Sequence, residues 1–94
     1  MSLEFEWDAQ KAFENLKRHR INFDQASAVF DDPDAFETFD DSQHYGEDRF
    51  PRVGMSGGKL VSVTYTNRAG RIRIISARKA STNEKEDYRH QTGR

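Results

Sequence analysis

Between Arg49 and Lys79 lie three strand-like runs, Arg49 to Met55, Leu60 to Thr66 and Arg71 to Lys79, with clear apolar–polar alternation in the second and in the first half of the third. They are separated by Gly57-Gly58 and by a turn near Asn67 to Gly70. Period-two alternation is the signature of a half-buried strand, and links this short and glycine-bearing allow only hairpins. An antiparallel β-meander is therefore the centre of any fold open to this chain. On the third run Ile72 and Ile74 share one face, whereas Arg71, Arg73 and Ile75 take the other. With the isoleucines facing the core, Arg71 and Arg73 line the opposite face of the sheet.

The flanking segments read as one short strand and helices. Phe5-Glu6-Trp7 alternates, and Asp8 is a good N-cap for a helix over about 9–19, whose Ala9, Ala12, Phe13 and Leu16 fall at helical spacing and predict the core face. Asn22 with Gln25 forms a capping-box pattern opening a second helix that points Ala26, Val29 and Phe30 inward and stops at Asp31-Asp32-Pro33. A short strand around Ala35 to Phe39 and an acidic loop to residue 48 follow. Ser81 with Glu84 opens a last helix over about 82–91 carrying Tyr88 and His90. Strand, two helices, meander and helix make an α+β domain with helices on one face of the sheet and the other face open. The whole chain, 1–94, is expected to be one domain.

Hydrophobic residues make up 34% of the chain and charged residues 33%, so the core is thin and leans on seven Phe, three Tyr and one Trp. Cysteine is absent, which excludes disulfides and thiolate chemistry. With neither the pattern of a secretory leader nor a long apolar run, the expected location is the cytoplasm, with no membrane contact. The net charge of −1 conceals a division: residues 1–48 carry four Lys/Arg against thirteen Asp/Glu, and residues 49–94 carry eleven against three. From Arg49 to Asn83 there is no acidic residue. A segment of that kind favours a polyanionic partner.

Specific strings then point to a family. Phe5-Glu6-Trp7-Asp8, Asn15-Leu16-Lys17-Arg18-His19 with Phe23, and Val29-Phe30-Asp31-Asp32-Pro33 occur in order. They are followed by Gly46-Glu47-Asp48-Arg49-Phe50, Gly54, Arg71-Ile72-Arg73-Ile74-Ile75-Ser76-Ala77-Arg78-Lys79-Ala80 and the Glu84 to Tyr88 spacing. In this the chain resembles the BrnT family of type II toxin–antitoxin toxins. The resemblance implies a RelE-like ribonuclease fold and translation arrest by RNA cleavage. It also implies neutralisation by BrnA, a ribbon-helix-helix antitoxin that represses the operon, so that operator DNA and any oligomer are reached only through the antitoxin. Two departures stand out: Arg20 occupies a position where relatives are expected to have Gly, and the last helix is less basic than in the family.

RNA can be cut without a metal or other cofactor, because its 2′-hydroxyl attacks the adjacent phosphorus. The protein must supply a proton acceptor, a proton donor and a stabiliser of the phosphorane charge. His19 suits proton transfer near neutral pH, and Arg49, Arg73 and Arg78 suit the stabiliser, since a guanidinium offers a fixed fork of donors. Tyr88 is a candidate proton donor or base-stacking platform, and Lys17, Arg18, Arg71 and Lys79 are candidate RNA-binding groups. Each has a plainer reading: His19 as a helix C-cap cation, Arg49 as the ion-pair partner of Glu47 or Asp48, Arg73 as an exposed strand residue, Tyr88 as packing, and Lys17 as a solvated side chain. Strict alternation puts Arg78 opposite Arg73, and a bulge near Ile74-Ile75 or the end of the strand would reconcile them.

His44 and His90 are reserves in polar surroundings. No His pair has i, i+4 spacing and no EF-hand loop occurs, so a metal site is not expected. The competing function is a non-catalytic module that binds nucleic acid or only an antitoxin. It predicts binding without cleavage.

Overall fold

The computed structural model describes residues 3–38 and 48–92. Its elements are β1 (Phe5–Trp7), α1 (Ala9–His19), α2 (Phe23–Ser27), a 3-10 turn (Ala28–Asp31), β2 (Phe36–Glu37), β3 (Phe50–Ser56), β4 (Lys59–Arg68), β5 (Arg71–Lys79) and α3 (Thr82–Thr92). The five strands form one sheet in the order β1-β5-β4-β3-β2. The pair β1 and β5 is parallel, and all other pairs are antiparallel. This is the mixed α+β architecture and the meander expected from the alternation. The second helix is shorter than its pattern suggested, because its last turn tightens into the 3-10 turn. Phe39, at the end of the expected short strand, and His44 lie outside the described residues.

Both hairpins close through two residues of positive φ, Gly57-Gly58 between Ser56 and Lys59, and Ala69-Gly70 between Arg68 and Arg71. That geometry matches the right-handed twist of the flanking strands. Both capping boxes form as read. Gln25 N–H donates to Asn22 Oδ1 at 2.7 Å and Asn22 N–H to Gln25 Oε1 at 2.9 Å, while Ser81 N–H donates to Glu84 Oε1 at 2.8 Å.

The core lies between one face of the sheet and α1, α2 and the 3-10 turn. Phe23, Ala26 and Val29 meet Val61, Val63, Tyr65, Ile72, Ile74 and Ala77 there. Edge-to-face rings frame it, with Phe30 against Tyr65 at 4.9 Å and Trp7 against Phe23 at 5.9 Å. Gly54 is required on this face. A Cβ there would stand 2.8 Å from Ala35 Cβ and 2.9 Å from Val29 Cγ1.

The core face of α1 is displaced from the predicted one. Phe13 is 58% and Leu16 43% exposed, while Asn15 is buried. The inward positions are Ala12, Asn15 and His19, which keep helical spacing one step round the helix. The reason is at the sheet edge. β1 pairs with β5 only from Ile72 to Ile74, so Ala77, paired with Val63 of β4 on one side, has no strand partner on the edge that α1 approaches. The Asn15 amide supplies both halves of one: Ala77 N–H donates to its Oδ1 at 3.0 Å and its Nδ2 donates to Ala77 O at 2.9 Å, with a further bond to Ile21 O at 3.0 Å. A leucine at that position would leave buried backbone groups unpaired.

The opposite face of the sheet is less open than expected. Val53, Ser62 and Thr66, which point to it, are buried, and α3 packs on β3. α3 itself buries no residue and is held by polar anchors. Tyr88 Oη donates to Asp32 Oδ2 at 2.8 Å, and that carboxylate also accepts from Met55 N–H at 2.8 Å on β3. Among the described residues no helix is long and apolar enough to cross a membrane.

Candidate active site

The irregularity anticipated in β5 is present. Tyr65 pairs with Ile74 and Thr64 with Ser76, so Ile75 is an extra residue on β5. Before the bulge Ile72 and Ile74 face the core; after it Ala77 does, and Ser76 and Arg78 join Arg71 and Arg73 on the other face. The bulge thus re-aims the end of β5. Arg73 and Arg78 stand opposite Thr66 and Ser62, four residues apart on β4 and so roughly 13 Å along the strand.

The downstream half of β5 meets the C-terminal end of α1. Arg18, His19, Arg20, Arg78 and Lys79 line one open cleft of about 420 Å³. A smaller cavity of about 150 Å³ adjoins it through Arg18 and His19, and Ile75 and Ser76 form its β5 wall. His19 reaches this place because it follows Ala12 and Asn15 on the inward stripe of α1. Arg20 closes the helix with φ 61° and donates its backbone N–H to Leu16 O at 2.9 Å. That left-handed cap is the conformation that glycine adopts most easily. With a side chain instead, it adds a cation to the rim.

Arg78 is clamped. Its Nη1 donates to Glu84 Oε1 at 2.9 Å and to Lys79 O at 3.0 Å, and its Nη2 donates to Glu84 Oε2 at 3.1 Å. A guanidinium has five N–H donors, so Nε–H and the second Nη2–H remain uncommitted among the described residues. These two lie on the same side of the plane's edge and form the fork that grips a phosphate bidentately. Burial works to raise the Glu84 carboxyl. The Arg78 bonds and those from Ser81 outweigh it and hold the group below the usual carboxylate range.

The other sequence-predicted residues are elsewhere. Arg73 pairs with Glu6 at 2.7 Å, and Arg71 with Glu4 at 3.2 Å, at the start of β5 where it lies beside β1. Arg49 is half-buried just before β3, one step beyond the Phe50–Tyr65 pair and so away from the cleft. Tyr88 is committed to Asp32. Lys17 Nζ lies 5.3 Å from the centre of the Phe13 ring on the outer side of α1. The cleft therefore unites His19, Arg78, Arg18 and Lys79 but not Arg49, Arg71, Arg73, Tyr88 or Lys17. It adds Arg20 and, in the adjoining cavity, Ser76. The positive φ at Arg20 has no signal in the residue itself.

The acid-free run from Arg49 to Asn83 is also not acid-free in space. Arg71 and Arg73 meet β1 carboxylates, Arg52 lies 3.5 Å from Glu37, and Arg78 meets Glu84. Positive charge without an ionic partner among the described residues is concentrated at the cleft and beside it. No group of three or more His, Asp or Glu side chains is placed to hold a metal ion among the described residues.

The comparisons bear on this arrangement directly. A family model described as the ribonuclease toxin BrnT of type II toxin–antitoxin systems matches residues 7–84. That span runs from β1 to Glu84 and includes every residue of the cleft. No curated protein matches the chain. The chain belongs to the BrnT family, the ribonuclease toxins of type II toxin–antitoxin systems.

Proposed function

We propose that the protein cleaves RNA without a metal ion, in the cleft between the end of α1 and the end of β5. The observation that carries this reading is the convergence of Arg18, His19, Arg20, Arg78 and Lys79 on one cleft, with a two-donor fork of Arg78 uncommitted. In this reading His19 takes the proton of the 2′-hydroxyl, the 2′-oxygen attacks phosphorus, and the bond to the 5′-oxygen breaks. The leaving oxygen collects a proton, so one product ends in a 2′,3′-cyclic phosphate and the other in a 5′-hydroxyl. Arg78 holds the non-bridging oxygens as their charge grows, and Glu84 keeps its guanidinium oriented. Arg18 and Lys79 hold neighbouring phosphates.

Arg71, Arg73 and Arg49 do not line the cleft and are left out of the chemistry, and Tyr88 serves to hold α3. Cleavage of messenger or ribosome-associated RNA by this cleft arrests translation. The antitoxin that silences it is read as a BrnA-like ribbon-helix-helix repressor, through which alone the toxin reaches operator DNA and assembles into oligomers. Family membership supports that partner.

The test is incubation of chelator-treated protein with total RNA, with the ends of the fragments mapped. Wild type is expected to leave 5′-hydroxyl ends. His19→Ala and Arg78→Ala are expected to lose about 100-fold or more in rate, with unchanged circular dichroism, while Arg73→Ala keeps most of it. Full cleavage by both cleft variants would overturn the site. RNA binding without cleavage by the wild type would instead establish the non-catalytic binding module.

A further inference from the structure

The cleft does not end at Lys79. The same side chain lines a second groove of about 420 Å³ on its other side, with Met55, Gly58, Lys59, Leu60 and Lys85. This groove is built where the β3–β4 hairpin, the end of β5 and the first turn of α3 meet. Three of its six lining residues are lysines and none is acidic. Among the described residues no ion pair engages Lys59, Lys79 or Lys85, in contrast with Arg71, Arg73 and Arg78. Its remaining wall is apolar, with Met55 38% exposed and Leu60 half-buried.

Cations around an apolar floor suit a nucleic-acid strand, whose phosphates need positive charge and whose bases need a surface to lie on. An endonuclease substrate must also leave the site of cutting at both ends, and Lys79, which lines both, places this groove next to the cleft. We infer that the groove of Lys59, Lys79 and Lys85 binds the single-stranded RNA backbone next to the scissile phosphate, with a base against Met55 and Leu60. The inference rests on the ribonuclease reading and adds to it the path of the substrate. The groove bordered by Phe36, Glu37, Thr38, Asp87, His90 and Gln91 carries carboxylates and is unsuited to the same strand.

The test uses the double variant Lys59→Gln plus Lys85→Gln, two exposed positions that leave the proposed catalytic groups intact. Binding of a ten-nucleotide single-stranded RNA is measured by fluorescence anisotropy against salt, together with cleavage of that RNA and of a dinucleotide. The expected result is a rise in Kd of about tenfold near 0.1 M salt and a log–log salt slope shallower by about 1.4, two contacts at about 0.7 each. Dinucleotide cleavage stays at the wild-type rate, because that substrate does not leave the cleft. Unchanged Kd and slope would overturn the groove while leaving the cleft standing. Unchanged RNA binding with weakened inhibition by the antitoxin would assign the groove to that protein instead. Failure of the wild type to bind either RNA would overturn both the groove and the ribonuclease reading.

Discussion

At the scale of single residues, the polar ones set the geometry of the cleft. Asn15 is the clearest case: its amide completes the edge of β5 at Ala77 and so fixes how close α1 comes. Asn15→Leu leaves the N–H and C=O of Ala77 and the C=O of Ile21 unpaired, at about 1–3 kcal/mol for each buried group. We expect a loss of about 3 kcal/mol or more in urea unfolding. Leu16→Ser, at a position that the periodicity alone assigns to the core but that is 43% exposed, should cost under about 1 kcal/mol. The opposite ranking would mean that α1 is rotated from the orientation described. A regular apolar stripe explains why the sequence pointed to Leu16. Period 3.6 locates a face only to within a residue or so, and it cannot register an amide recruited by a distant strand edge.

At the scale of elements, the bulge in β5 decides which side chains share a face. Residues 76–79 are shifted by one relative to strict alternation, which puts Arg78 and Ser76 on the face of Arg73 and Ala77 in the core. Deleting Ile75 removes the extra residue but leaves Ser76, Ala77 and Arg78 opposite Thr64, Val63 and Ser62, so their faces are kept and only the local kink and added twist of the bulge are lost. The expected outcome is reduced cleavage, because the end of β5 is no longer re-aimed, with a stability change of about 1–2 kcal/mol since Ala77 stays in the core. Retained activity in that variant, measured with the same RNA substrate, would show that the bulge has no part in the site. β1 and β5 also show how elements make use of charge. The run of arginines on β5 pairs in register with Glu4 and Glu6, so a stretch that looks purely cationic in sequence is largely neutralised along the sheet edge.

At the scale of the whole molecule, α3 is tied to the body mainly through carboxylates, and stability should follow their protonation. Burial tends to raise Asp32. Bonds from the N–H groups of Met55 and Asp34, the Tyr88 hydroxyl and the charge of Arg52 prevail and hold it below the usual range. Glu84 is lowered by its contacts with Arg78 and Ser81 in the same way. For a group lowered on folding, the unfolded chain binds more protons over the intervening pH range. Its stabilisation is therefore complete above the ordinary carboxylate value, about 4, and drains away as pH falls through the folded one. The urea midpoint should fall steeply below about pH 4, with the amides of α3 losing protection first. Asp32→Asn combined with Glu84→Gln should start lower and vary less over the same interval. A wild-type midpoint that is flat below pH 4 would contradict this account of the anchors.

Local rules were enough to determine the elements. Period-two alternation, glycine-bearing links and two capping boxes specify the meander and the helix starts, because each depends on residues within a few positions of one another. The ordered strings were likewise enough to suggest the family, and that resemblance together with chemical type put His19 and Arg78 among the candidates. Tertiary structure decided which candidates meet. The bulge at Ile75, the parallel docking of β1 beside β5 and the seat of Asn15 on Ala77 all join residues far apart in the chain. Those contacts bring Arg18, His19 and Arg20 to Arg78 and Lys79, and give Arg71 and Arg73 to the acids of β1. Charge and chemical type are properties of a residue, whereas proximity across a sheet edge belongs to the fold.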